Sequence, residues 1–306
     1  MQYMKDLLSM EDLSIKGLLE VIALSKEVKN NPEKFMKELE GRSLVMIFEK
    51  PSTRTRVSFE CAILQLGGHA VNITRDSSQM NRGETLSDSA KTLERYVDAI
   101  VARVNNHSTL IELAANAKIP VINGLSDIEH PCQIIADLLT IQEEKGKFKD
   151  IKIAYVGDGN NVCNSLLLGC AMTGINITVA TPDKYKPRKE AIKAAERIAK
   201  DTGAKIETTA DPMEAVKNAD FVYTDVWVSM GHESEEKERI KTLKPYQVNK
   251  QLLSKAKKGA NIMHCLPAHR GFEITGDAID GPQSIVWNQA ENRLHAQKAI
   301  LIKLLK

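Results

Sequence analysis

Short apolar runs alternate with longer segments whose apolar residues recur every three or four positions, and this alternation constrains the fold more than any other feature. Strands of unbroken apolar residues are buried on both faces, which requires parallel pairing with helices above and below. Runs at 43–48, 70–74, 98–102 and 120–123 predict strands in the first half, and those at 152–156, 176–180, 205–208, 221–224, 261–263 and 284–287 predict strands in the second. Helices are expected between them: one before the first strand, built on Ile15, Leu18, Leu19 and Ile22, and others over 57–64, 86–96, 108–116 and from 131. In the second half they start near Asn160, Pro187, Pro212 and Tyr246, with a last helix from Gln289. The charged stretch 142–150 divides the series. The expected fold is therefore α/β: two doubly wound parallel-sheet domains, residues 1–146 and 147–288, with helix 289–306 packing back onto the first and the active site in the cleft between them.

A chain of 306 residues can bury two cores of ordinary size. Charged residues at 27% and apolar ones at 42% exclude a disordered chain, and a net charge of +2 without a long basic block gives no case for a nucleic-acid partner. No uncharged apolar stretch reaches membrane-spanning length, and the first residues carry charge early, so a soluble cytoplasmic protein is expected. Five cysteines without Cys-x-x-Cys spacing suggest neither a disulfide framework nor a zinc knuckle.

Ligands of doubly wound sheets bind beyond the carboxyl ends of the strands. In the first half those positions hold Ser52-Thr53-Arg54-Thr55-Arg56, the loop 77–82, Arg103 and His130-Pro131-Cys132-Gln133. In the second they hold Asp158-Gly159-Asn160-Asn161, Asp225 with Ser229-Met230-Gly231, and His264-Cys265-Leu266-Pro267. Hydroxyls and a guanidinium at a helix start, where the first N–H groups lack partners, form a phosphate clamp. The plainer alternative is a helix cap with solvated arginines. Arg103 would add a second arm or lie on the surface. His130 and Gln133, one turn apart, could meet a polar substrate group or cap and pack the helix. Cys132, between them, has no evident role beyond packing. Gly157-Asp158-Gly159 is a partial dinucleotide fingerprint, but Val162 stands where its third glycine belongs, which weakens a nicotinamide-dependent oxidoreductase. Cys265 admits three chemistries. Zinc held by His264, Cys265 and His269 lacks a fourth ligand at usable spacing, and a hydrolase nucleophile suffers because strand neighbours face opposite ways. The third is a thiolate contacting a cationic substrate.

Ser52-Thr53-Arg54-Thr55-Arg56, His130-Pro131-x-Gln133, Asp158-Gly159-Asn160-Asn161, Asp225-x-Trp227-x-Ser229-Met230-Gly231 and His264-Cys265-Leu266-Pro267 together resemble the aspartate/ornithine carbamoyltransferase family, in its ornithine-using branch. The resemblance runs from residue 43 to Arg293. It implies transfer of the carbamoyl group of carbamoyl phosphate to the δ-amine of L-ornithine, or to a related amine, without metal or organic cofactor. It further implies that carbamoyl phosphate is held by Ser52, Thr53, Arg54, Thr55, Gln79, Arg103, His130, Pro131, Cys132, Gln133, Cys265, Leu266 and Arg293. Ornithine would be held by Asn161, Asp225, Ser229 and Met230. Arg54, Arg103, His130, Asp225 and Cys265 would carry the chemistry. A homotrimer, or a higher assembly of trimers, follows from the same resemblance, with Gln79 supplied by a neighbouring subunit. A binding or regulatory protein that kept the fold would not need this full set.

Overall fold

Strand β1 (Ser43–Phe48) is buried from Leu44 onward, as its unbroken apolar run requires, and it is one of the two inner strands of the first sheet. A computed structural model describes residues 4–74, 83–228 and 233–306. They fall into two compact units, Met1–Leu139 with Glu291–Lys306, and Thr140–Ala290. The division lies inside two helices, which therefore each contribute to both units.

In the first unit α1 (Ile15–Asn30) precedes β1, followed by α2 (Thr53–Gln65), β2 (His69–Thr74), α3 (Leu86–Leu93), β3 (Ala99–Arg103), α4 (His107–Asn116), β4 (Val121–Leu125) and the start of α5 (Pro131–Lys145). The sheet is parallel with order β2-β1-β3-β4. Its order reverses between β1 and β3, and the register pairs Phe48 with Arg103. The chain segments leaving those two strands therefore emerge side by side. Val45, Ile47, Ile100 and Ala102 pack with Leu110 and Leu113 of α4 in one core layer.

The second unit continues with β5 (Lys152–Val156), α6 (Asn161–Thr173), β6 (Asn176–Ala180), α7 (Lys189–Thr202), β7 (Ile206–Thr209), α8 (Pro212–Val216), β8 (Phe221–Thr224), α9 (Glu236–Leu243), α10 (Lys250–Leu253), β9 (Asn261–His264), α11 (Gly276–Ile279) and the start of α12 (Val286–Leu305). Its sheet is parallel in the order β7-β6-β5-β8-β9, reversing between β5 and β8. Thr224 pairs with His264, so Asp225 and Cys265 leave their strands together.

Several elements depart from the sequence reading. The run 284–287 is not a strand: Ser284 makes a single bridge to Ile262, and α12 begins at Val286. Val286 is buried and Trp287 exposed, and the helical spacing that follows them captures both. Helix α3 stops at Leu93, short of residue 96, where 3-residue turns replace the helical ladder. Helix α9, which the sequence reading leaves out, has only Ile240 and Leu243 as apolar positions in Glu236–Leu243.

Candidate active site

In the first unit Ser52 occupies the N-cap of α2 in extended conformation, and its side chain makes no capping bond. The first-turn N–H groups of such a helix lack intrahelical partners and form its positive end. Thr55, one turn in, is 1% exposed. Its Oγ1 accepts from Arg103 Nη1 at 3.4 Å and from Arg293 Nη2 at 3.0 Å. Arg293 Nη1 donates to Gln133 Oε1 at 2.7 Å, and Gln133 Nε2 donates to Asp137 Oδ1 at 2.8 Å. The His130 carbonyl accepts the first α5 bond, from Gln133 N at 3.0 Å, which sets its ring at the start of that helix. Burial, reinforced by Arg293, Arg103 and Arg54, holds the His130 ring well below its ordinary pKa. At neutral pH it is an uncharged imidazole among guanidinia. Pro131 follows in the first turn. The Cys132 thiol is donated to the Asn123 carbonyl at 3.3 Å, and burial pushes it up to about 12. It is a core thiol, not a nucleophile.

In the second unit Gly157 adopts φ +133°, and a Cβ on Gly159 would meet the Pro187 backbone nitrogen at 2.3 Å. Both glycines are thus explained by the turn and its packing, without a pyrophosphate. Asn160 caps α6, its Oδ1 accepting from Val162 N at 3.0 Å and Cys163 N at 3.2 Å. Its Nδ2 donates to Asp225 Oδ2 at 2.7 Å, while Asp225 Oδ1 accepts from the Cys265 thiol at 2.9 Å. Asn161, half-buried, accepts from Val162 N at 3.0 Å. Leu266 follows Cys265 at φ +60°, a left-handed conformation that a branched side chain adopts only when its surroundings enforce it. His264 supplies part of that: its Nδ1 accepts from Leu266 N at 2.9 Å, and its Nε2 lies 3.1 Å from Glu273 Oε1.

Asp158, next to the capping Asn160, forms a buried pair with Arg239 at 2.9 Å. Arg239 also donates to the Trp227 carbonyl at 3.1 Å and stacks 4.4 Å from the Tyr185 ring centre. Burial outweighs Arg239 and raises the Asp158 carboxyl to about 7. Gln79, Ser229 and Met230, expected to touch substrate, lie outside the described residues, as do the rest of loop 77–82 and Gly231.

The family model for the carbamoyl-P binding domain of aspartate/ornithine carbamoyltransferases matches residues 5–143, and that for their Asp/Orn binding domain matches residues 149–304. The chain belongs to the aspartate/ornithine carbamoyltransferase family. It is 54% identical over 304 residues to the ornithine carbamoyltransferase of Archaeoglobus fulgidus, across 99% of this chain and 98% of that one. With the ornithine carbamoyltransferase of Pyrococcus horikoshii the identity is 52%, over 98% and 96% of the two chains. Among solved structures, the ornithine carbamoyltransferase from Pyrococcus furiosus superposes with a TM-score of 0.96 at 50% identity, covering 99% of this chain and 97% of that one.

In both units these polar residues lie where the sheet reverses its order, the place at which doubly wound sheets bind ligands. Three residues in that arrangement escaped the sequence reading. Asp137 and Glu273 are buried carboxylates behind Gln133 and His264, and Arg239 braces Asp158. Glu273 and Arg239 stand outside the motifs, and only the fold brings them in. Asp137, at helical spacing from Gln133, carried a signal in its four-residue offset. Among the described residues, Asp225, His264 and Cys265 have donor atoms close enough for a metal ion, all within 4.8 Å of one another. Both ring nitrogens of His264 already have hydrogen-bond partners, so coordination there would break the support of Leu266. No described helix is long and apolar enough to cross a membrane.

Proposed function

We propose that this chain transfers the carbamoyl group of carbamoyl phosphate to the δ-amine of L-ornithine, giving L-citrulline and phosphate. The observation that carries the reading is the convergence of Arg103 and Arg293 on the buried Thr55 hydroxyl, at a helix N-terminus beside an uncharged His130. Such a group binds a dianionic phosphate and can also stabilise an oxyanion on the adjacent carbonyl. Ser52, Thr53, Arg54 and Thr55 would grip the phosphate with Arg103. His130 would donate a ring N–H to the carbamoyl oxygen, and Gln133, Arg293 and the Leu266 backbone would orient the carbamoyl group. Pro131 and Cys132 would shape the wall.

The δ-amine attacks the carbamoyl carbon, a tetrahedral oxyanion forms, and the C–O bond to phosphate breaks. Asp225 and Cys265 would orient the amine and favour its deprotonated form, and Asn161 with Ser229 and Met230 would hold the α-amino acid end. No metal or organic cofactor takes part in this scheme. A cytoplasmic homotrimer goes with the reading, Gln79 reaching the site from a neighbouring subunit; this part rests on the family resemblance. The identity of 54% to a protein named ornithine carbamoyltransferase favours ornithine over other amines. Citrulline formation from the two substrates, measured with NAD reduction as a control, tests the proposal. Carbamoylation of aspartate or putrescine in preference to ornithine would overturn the substrate, and NAD reduction without citrulline would overturn the reaction class.

A further inference from the structure

Asp137 is completely buried, yet nothing in the scheme above uses it. It lies one helical turn beyond Gln133 in α5, and its Oδ1 accepts from Gln133 Nε2 at 2.8 Å. The other end of the same amide, Oε1, accepts from Arg293 Nη1 at 2.7 Å, and Arg293 Nη2 continues to Thr55 Oγ1 at 3.0 Å. The two ends of a primary amide are nearly alike in shape, so hydrogen bonding alone decides which way it points. Here a carboxylate accepts on one side and a guanidinium donates on the other. A flipped amide would set oxygen against carboxylate and N–H against guanidinium, losing two charge-assisted bonds at once.

We propose that Asp137 is a positioning residue for carbamoyl phosphate: it locks the Gln133 amide in one orientation and, through its oxygen, fixes the Arg293 guanidinium against Thr55. The inference rests on the functional reading given above. It does not require Asp137 to touch substrate. The relay is cooperative in the sense that each bond sets the direction of the next. Without the carboxylate, Gln133 can present either end to Arg293, and the guanidinium loses its fixed seat.

A double-mutant cycle tests this. Asp137→Asn keeps the shape and removes the charge, and Gln133→Met removes the amide that Asp137 is said to orient. Alone, Asp137→Asn, which leaves an acceptor but lets both amides turn, is expected to raise KM for carbamoyl phosphate about tenfold, the low end of the range for a hydrogen bond to a charged group. KM for ornithine should stay within about twofold, because the relay residues all belong to the first unit and Asp225 and Cys265 to the second. In the Gln133→Met background the same substitution should change carbamoyl phosphate KM by less than about twofold. An equal effect in both backgrounds, no effect in either, or a matched rise in both KM values with a lowered unfolding midpoint would overturn the role. Calorimetric titration of the same proteins with carbamoyl phosphate reads the cycle without turnover. It therefore still decides the role of Asp137 should wild type form no citrulline, an outcome that would sink the functional reading by itself.

Discussion

His130 and Cys265 bring opposite protonation problems to the chemistry. His130 must stay uncharged among arginines, and burial with those arginines keeps its pKa well below the ordinary 6.5. In the unfolded chain the ring protonates near 6.5, so the unfolded state binds the extra proton first and stability falls as pH drops below that value. Replacing it with Gln should remove this slope. The stability of His130→Gln relative to wild type should improve by up to about 1.4 kcal/mol per pH unit below 6.5, read from denaturant midpoints between pH 5 and 7. A pH-independent difference would mean that His130 titrates normally. For Cys265 the problem lies with the substrate. A lysine-like δ-amine with pKa ~10.4 is neutral in only about one molecule per thousand near pH 7.4. Turnover should therefore rise from pH 7 to 9. Cys265→Ser keeps a donor to Asp225 but replaces a large polarisable sulfur with a smaller oxygen, so it should harm ornithine KM and kcat more than carbamoyl phosphate binding. A flat profile with chemistry shown to limit the rate would contradict this account.

At the scale of elements, α9 shows how a weakly apolar helix is held in place. Arg239, 5% exposed, ties it to Asp158 at the end of β5 and to the Trp227 carbonyl after β8. Arg239→Met removes one partner of a buried pair, which costs about 3–5 kcal/mol. The carboxyl that remains titrates near neutrality even with the arginine present, at about 7, and the loss of the arginine raises it further. The destabilisation should thus be larger at pH 8, where the wild-type carboxylate is ionised and paired but the variant must keep a proton or bury a bare charge, than at pH 5.5, where Asp158 is protonated in both; equal losses at both would mean the pair contributes only packing. The same helix marks where the sequence stops being legible. Strands β1, β5 and β8 are readable because unbroken apolar runs have few other solutions, and the placement of Ser52–Thr55, Gln133, Asp225 and Cys265 beyond strands because motifs follow strands. Arg239, Asp137 and Glu273 act through burial, and a charged residue inside reads in sequence like a charged residue outside. The false strand at 284–287 has a similar origin: a few apolar residues suit an edge bridge or a first helical turn equally, and only the neighbouring Ile262 decides.

For the whole molecule, the proposed trimer makes a quantitative demand. If Gln79 completes the site of a neighbour, a variant replaced over residues 77–82 and a Cys265→Ala variant are each inactive, and refolding them together restores function. In a cyclic trimer mixed at random, about one site in four receives both intact parts, so recovery near a quarter of wild-type activity is expected. No recovery from mixed trimers verified by native mass spectrometry would show that each chain builds its site alone. The division of the chain also has a consequence on the ribosome. The unit that holds Thr55, Arg103 and Gln133 takes Glu291–Lys306 as well, with Arg293 among those residues, while Thr140–Ala290 forms the other unit without interruption. Translation at roughly 5–20 residues per second puts about 8–30 s between the synthesis of Leu139 and that of Glu291. The unit begun first is thus the one finished last, and a nascent chain of this protein carries the whole of the later unit while its earlier one still waits for Arg293.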